Sequence, residues 1–382
     1  MSEIYLDHAA TTPVRREALE AMWPFLTGEF GNPSSRHRLG EQAARALDDA
    51  RARVAAVLGA RPAEIVFTSG GTEADNLAVK GLALASPRGR HVLVAATEHE
   101  AVLESSDHLE RMHGFAVDRL PVDAQGRLPT LHPLLRDDTA LVSVMLANNE
   151  IGTVQPIAEL AAEAHAAGAR FHSDAVQAAG WLPLDVAALG VDALTISGHK
   201  VGAPKGVGAL FLRRGARVEP VVHGGGQERG RRSGTEDVAG AVGLAVALEL
   251  ADAERIERAD AVERMRDAFI RSVLAIAPEA RLTGHPVERL AANASFCFPG
   301  TAGEAVLLQL AEHGVLCSSG SACAAGSDEP SHVLTALGLD GPTAQTAVRF
   351  TLASSTTDAE LDAAVLALRA SLDALGALST RR

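Results

Sequence analysis

Between about residue 60 and residue 215, short apolar runs alternate with helix-like stretches, and this alternation limits the fold more than any other feature of the chain. Residues 65–68, 91–96, 140–147, 169–172, 193–197 and 208–212 are largely apolar and read as buried strands. Segments 72–85 and 156–167, rich in Ala, Leu and Glu, place apolar residues at helical spacing. Strands without polar alternation, separated by helices, predict an α/β fold with a mainly parallel sheet covered on both faces. In such sheets ligands gather beyond the carboxyl ends of the strands, so chemistry is sought there.

Around residues 251–267 the pattern becomes a charged amphipathic helix, and a second region follows. It holds apolar runs at 294–298, 315–318 and 347–352 and helical stretches at 303–312 and 358–375, which predicts a smaller α+β domain. A length of 382 residues suits two domains at roughly 150 residues each. With 47% hydrophobic and 22% charged residues the chain can bury a core and is not disordered. Lys and Arg number 35 against 48 Asp and Glu, and the resulting −13 disfavours direct nucleic-acid binding, which needs a basic surface. The longest apolar run, 238–248, falls short of the ~20 residues of a membrane span. Glu3 and Asp7 replace the basic start of a signal peptide, so none is expected. The 3 cysteines, Cys297, Cys317 and Cys323, form no Cys-x-x-Cys pair and predict reduced cytoplasmic thiols; no metal site is expected.

Dinucleotide, P-loop and hydrolase-elbow motifs are absent, and His223-Gly224-Gly225-Gly226 without a nucleophile elbow carries no hydrolase reading. Three strand ends carry chemistry instead. Thr68-Ser69-Gly70-Gly71-Thr72-Glu73 joins a strand to a helix start, where exposed amides hold an anion; a Thr72–Asp75 capping box is the structural alternative. Asp174, in His172-Ser173-Asp174-Ala175, could hold a protonated ring nitrogen or a metal, or cap a turn. Lys200, in Ser197-Gly198-His199-Lys200, could be an enclosed nucleophilic amine or an exposed loop lysine. One strand apart, acid and amine can face one pocket. The set fits pyridoxal phosphate: amides for the phosphate, an acid for the pyridinium nitrogen, an amine for the aldehyde.

At this point the chain resembles the cysteine desulfurases of aminotransferase class V, within the fold type I pyridoxal-phosphate enzymes. The resemblance runs almost end to end. It is carried by Tyr5-Leu6-Asp7-His8-Ala9-Ala10-Thr11-Thr12, Gly31-Asn32-Pro33-Ser34-Ser35, Thr97-Glu98-His99, Asn148-Asn149-Glu150-Ile151-Gly152-Thr153, His223-Gly224-Gly225-Gly226-Gln227-Glu228, Arg232-Ser233-Gly234-Thr235 and Ser319-Gly320-Ser321-Ala322-Cys323.

The resemblance implies a seven-stranded-type sheet in a large cofactor domain, residues 11–254. Residues 1–10 and 255–382 then form the small domain that carries the cysteine. Lys200 is implied as the amine that joins the cofactor and moves protons, Asp174 as the partner of its ring nitrogen, and His99 as the group that stacks on the ring and acts as acid or base toward the substrate thiol. Gln177 and Asn149 are implied near the ring oxygen, and Gly71, Thr72, Ser197 and His199 at the phosphate, with Thr235 reaching in from the second subunit of a homodimer. Arg349, with Asn149 and Asn32, is implied to hold the substrate carboxylate, a task suited to a planar fork. Cys323 matches the catalytic cysteine, which takes sulfur from L-cysteine as a persulfide and leaves L-alanine.

The spacing from Cys323 to Glu329-Pro330-Ser331-His332 resembles the long-loop subgroup, which delivers sulfur to a protein acceptor for iron–sulfur assembly or tRNA thiolation. Cys297 and Cys317 read as strand thiols. The rival readings are a selenocysteine lyase or another class V lyase or transaminase, and a non-catalytic sulfur-relay scaffold, against which Lys200 speaks.

Overall fold

The apolar runs pair into one sheet because each strand has a hydrophobic layer on either side. In the computed structural model, which describes residues 3–132, 134–320 and 329–379, these runs become β2 (Ile65–Thr68), β3 (His91–Ala95), β5 (Thr139–Ser143), β6 (Arg170–Asp174), β7 (Ala193–Ser197) and β8 (Gly208–Leu212). Ile65, Phe67, Leu93, Leu194 and Ile196 face one layer, and Val66, Val92, Val94 and Ala193 face the other. Both faces are therefore apolar, as a doubly covered sheet requires. With β4 (Ala116–Leu120) at one edge, the strand order is β2-β8-β7-β6-β5-β3-β4, parallel except where β8 runs antiparallel to β2 and β7.

The remaining strand, β4 (Ala116–Leu120), was not expected from the sequence. It lies at the sheet edge and is half-buried, so Ala-Val-Asp-Arg-Leu lacks the apolar continuity of a central strand. Asp118 instead binds His91 Nε2 at 3.0 Å, and Arg119 pairs with Asp107. The 140–147 run also differs from expectation, because strand pairing stops at Ser143. The chain continues as buried extended backbone, with Val144 N–H donating to His172 O and Leu146 N–H to Asp174 O.

The helix expected at 251–267 is the junction of two helices. α7 (Val238–Ala253) is mostly buried and accounts for the longest apolar run, and α8 (Arg255–Ile276) carries the charge. They meet at Glu254, whose two oxygens accept from Arg15 at 2.8 and 2.7 Å. Beyond it, β10 (Asn293–Cys297) pairs antiparallel with β9 (Arg281–Leu282) and β12 (Ala347–Thr351). Phe269, Phe296 and Phe350 meet edge to face in a separate core. β1 (Ile4–Tyr5) joins this region by pairing with β11 (Val315–Leu316), and Asp7 bridges Thr351.

The His223–Glu228 motif acts as a structural staple. Glu228 is buried and grips Arg51 of α2 (Arg38–Val57) at 2.6 and 2.7 Å, while its Oε2 also accepts from the Phe67 amide at 3.1 Å. Glu228 and Arg229 adopt positive φ of 48° and 58°, strain on the order of 1–3 kcal/mol each that the pair offsets. Removing one partner strands a buried charge. Glu228→Ala is expected to cost about 3–5 kcal/mol in a urea unfolding titration, and a loss below 1 kcal/mol would contradict this role.

Candidate active site

Asp174 closes β6 and stands opposite Thr195 of the neighbouring parallel strand. It is buried, and its Oδ1 accepts the Val176 amide at 2.8 Å. β7 ends at Ser197 and passes into the turn Gly198–Lys200. Gly198 has no room for a side chain: a Cβ would stand 2.9 Å from Val207 Cγ1 and 3.0 Å from Val207 O. That close packing aims Lys200 back across the sheet end, where Nζ donates to the carbonyls of Ala9 and, at 2.8 Å, Ala10. The N-terminal segment that receives it is fixed in turn. Gln177 Nε2 donates to Ala9 O at 3.0 Å, and Thr12 N–H donates to His199 O at 3.0 Å.

α3 (Gly71–Ala85) starts without a side-chain cap, after Gly70 at φ 152°. The expected Thr72–Asp75 capping box is not formed, because Asp75 turns inward and is buried. Glu73 serves the turn instead, accepting from the Ser69 amide at 2.7 Å. The uncapped first-turn amides of α3 are a ready anion site. His99 caps α4 (Glu100–His113) through Nδ1, which accepts from Ala101 N–H at 3.1 Å.

Gly71, Thr72, His99, Asn149, Asp174, Gln177, Ser197, His199, Lys200 and Arg349 all line one cavity of about 430 Å³. Arg349 enters it from β12 on the other sheet: Nη1 donates to Asn149 O at 2.8 Å and to Gly320 O at 3.2 Å, and Nη2 to Asp7 Oδ1 at 2.7 Å. Asn32 and Thr235 do not line this cavity. Asn32 is exposed and uses Oδ1 to accept Ser34 N–H at 2.8 Å. Thr235 is exposed just beyond Arg232, which pairs with Glu73 at 2.7 Å. Cys323 lies outside the described residues, although Gly320, Glu329 and Pro330 on either side of it border the cavity. Burial pushes the Cys297 thiol up and the Cys317 thiol up to about 12, which disfavours the thiolate at both.

Among the cavity residues, Asp75 was expected only as a helix cap, and Glu98, Glu150 and His332 had no expected role. Burial, then the charge of Asp174, pushes Asp75 and Glu98 well above the ordinary carboxylate range. Burial also raises Asp174, while His99 and Lys200 pull it down. Burial raises Glu150, opposed first by Ser331, whose hydroxyl donates to Oε2 at 2.6 Å. His332 Nε2 donates to Glu98 O at 2.9 Å. Glu98 and Glu150 sit inside matched motifs, and an acid placed among buried strand ends is the signal that marks them.

These groups fit pyridoxal phosphate, with uncapped amides beside Ser197 and His199, a buried acid one strand from a lysine, and an arginine across the cavity. Comparison with known proteins agrees. The model of the class-V aminotransferases matches residues 4–364. The cysteine desulfurase IscS of Dictyoglomus turgidum is 47% identical over 94% of this chain and 92% of its own. The cysteine desulfurase NifS of Azotobacter vinelandii is 47% identical over 95% of this chain and 90% of its own. A solved NifS-like protein superposes with a TM-score of 0.91 at 37% identity, covering 98% of this chain and 100% of the other. The chain belongs to the class-V aminotransferase family. Its activity is that of a pyridoxal-phosphate-dependent cysteine desulfurase, which takes sulfur from L-cysteine by way of an enzyme persulfide.

Beneath the site His172 bridges Ser143 Oγ at 2.8 Å and Thr195 Oγ1 at 3.0 Å, and burial pushes its pKa down to about 3. In the unfolded chain it titrates near 6.5, so below that pH the unfolded state binds the extra proton and stability falls. At pH 4.5 this residue alone is expected to remove about 2–3 kcal/mol relative to pH 7. Urea midpoints at the two pH values should fall less for His172→Asn than for the parent, and an equal fall would remove His172 from the account.

Proposed function

We propose that the cavity residues divide the desulfurase reaction as follows. Gly71, Thr72, Ser197 and His199 hold the cofactor phosphate, Asp174 its ring nitrogen, Gln177 and Asn149 its ring oxygen and neighbouring groups, His99 its face and Lys200 its aldehyde carbon. Bound there, pyridoxal phosphate supplies an electron sink that acidifies the substrate Cα–H. Arg349, with Asn149, orients the substrate carboxylate, and Lys200 removes and returns the proton at Cα. Cys323, as thiolate, forms an S–S bond to the substrate sulfur while the C–S bond breaks and the carbon is protonated to L-alanine. The observation that carries this reading is the convergence of Lys200 and Asp174 from adjacent parallel strands on one cavity with Arg349 opposite.

The division into a large domain, 11–254, and a small domain, 1–10 and 255–382, is supported by the break between α7 and α8 at Glu254 and by two separate cores. We further propose a homodimer in which Thr235, and Asn32 on its own exposed turn, complete the partner's site. Their exposure supports this, as does the exposed apolar stripe Leu19, Trp23, Leu26 and Phe30 along α1 (Arg16–Thr27) and just past its end. The persulfide then passes to a protein acceptor, for iron–sulfur assembly or tRNA thiolation, in the cytoplasm. No helix among the described residues is long and apolar enough to cross a membrane.

Cys323→Ser is expected to keep the visible cofactor band while losing on the order of 100-fold or more in alanine formation, with no added sulfur in the protein mass after L-cysteine. Undiminished turnover would overturn the persulfide assignment. Lys200→Ala and Thr235→Ala should each be impaired alone. Mixed in one preparation they should regain activity, because one site of a mixed dimer then has both groups. Absence of complementation would place Thr235 outside the partner's site.

A further inference from the structure

The Asn148–Thr153 turn sets one acid against the substrate end of the cavity. Asn148 Oδ1 accepts the amides of Glu150 and Ile151 at 2.8 and 2.9 Å, and Asn293 Nδ2 donates to Glu150 O at 3.2 Å, so the backbone at Glu150 is fixed. Its side chain is 4% exposed, accepts the Ser331 hydroxyl and borders Gly320, where an added Cβ would stand 3.4 Å from Glu150 Oε2. Arg349 Nη1 binds the carbonyls of both Asn149 and Gly320, which puts guanidinium, Glu150 and Gly320 on one wall.

We propose that Glu150 sets the side-chain specificity of this pocket by turning away amino acids whose side chain is itself anionic. The inference rests on the proposed roles of Lys200 and Arg349. An amino acid with its amine toward Lys200 and its carboxylate on Arg349 has one direction left for its side chain. We take that direction to be the wall of Gly320, Glu150, Ser331 and His332, because Gly320 and Glu329 on this side of the cavity flank the residues around Cys323 in sequence. A thiol meets nothing unfavourable there. A second carboxylate meets Glu150 in a water-poor site, where like charges repel strongly. His332 Nε2 is already held by Glu98 O, and Arg349, with Nη1 on Asn149 O and Gly320 O and Nη2 on Asp7 Oδ1, keeps Nε for the α-carboxylate, so neither meets a second carboxylate with a free fork. Discrimination by a repelling charge is a common route to specificity.

The test compares binding of L-aspartate and L-asparagine, which differ in charge and hardly in shape, to the holoenzyme. Dissociation constants are read by calorimetry and by the shift of the visible cofactor band. The parent is expected to prefer L-asparagine by about tenfold or more, and Glu150→Gln to shrink that ratio by about tenfold. Ser331→Ala removes the hydroxyl that favours the charged form of Glu150 and should shrink the ratio in the same direction but by less than Glu150→Gln. A parent that binds both ligands alike overturns the proposal without any variant. So does a Glu150→Gln ratio equal to the parent's, or a Ser331→Ala ratio that shifts as far as that of Glu150→Gln. If the parent binds neither amino acid, the assigned roles of Lys200 and Arg349 fail, and this inference fails with them.

Discussion

The hydrogen bonds from Lys200 to the carbonyls of Ala9 and Ala10 tie its amine to a segment that belongs to neither sheet. That segment is anchored at both ends. Ala9 N–H donates to Thr351 Oγ1 at 2.9 Å and Asp7 holds Arg349, while Thr12 is bonded to His199. The lysine of one sheet and the arginine of the other are therefore spaced by a single strip of backbone. Displacement of either sheet would be felt at both Lys200 and Arg349, across the cavity they line.

The floor of the cavity obeys a second constraint. Asp75, Glu98 and Asp174 are all buried there, and three ionised carboxylates at one site would repel beyond what the fold could hold. Burial and mutual repulsion push Asp75 and Glu98 toward their neutral forms, while Lys200 and His99 favour charge on Asp174. Charge is thus directed to the acid at the strand end beside the amine. His172, kept neutral beneath, adds none.

Much of this was legible in the sequence because it depends on local pattern. Continuous apolar runs identified the central strands, and glycines beside a strand end identified the turns that carry Gly71 and Lys200. β4 was missed because an edge strand half-exposed to solvent looks like a polar connection. Asp75 was misread as a cap because Thr72 and Asp75 have capping-box spacing, whereas the helix begins at Gly71 and packs Asp75 inward, near His172. Glu98, Glu150 and His332 fall within sequence motifs, but nothing local in the chain marks what they contact. Their partners, Met145, Ser331 and the Glu98 carbonyl itself, lie far away in sequence and only folding unites them.

The loop bearing Thr235 is tethered before any second chain arrives. Arg51 holds it through Glu228, Glu73 holds it through Arg232, and Ser233 donates its amide to Val222 O at 3.1 Å. Its conformational entropy has already been surrendered within the monomer. A partner docking against it would meet a rigid template, and association would keep more of its contact energy than if the loop had to order on binding.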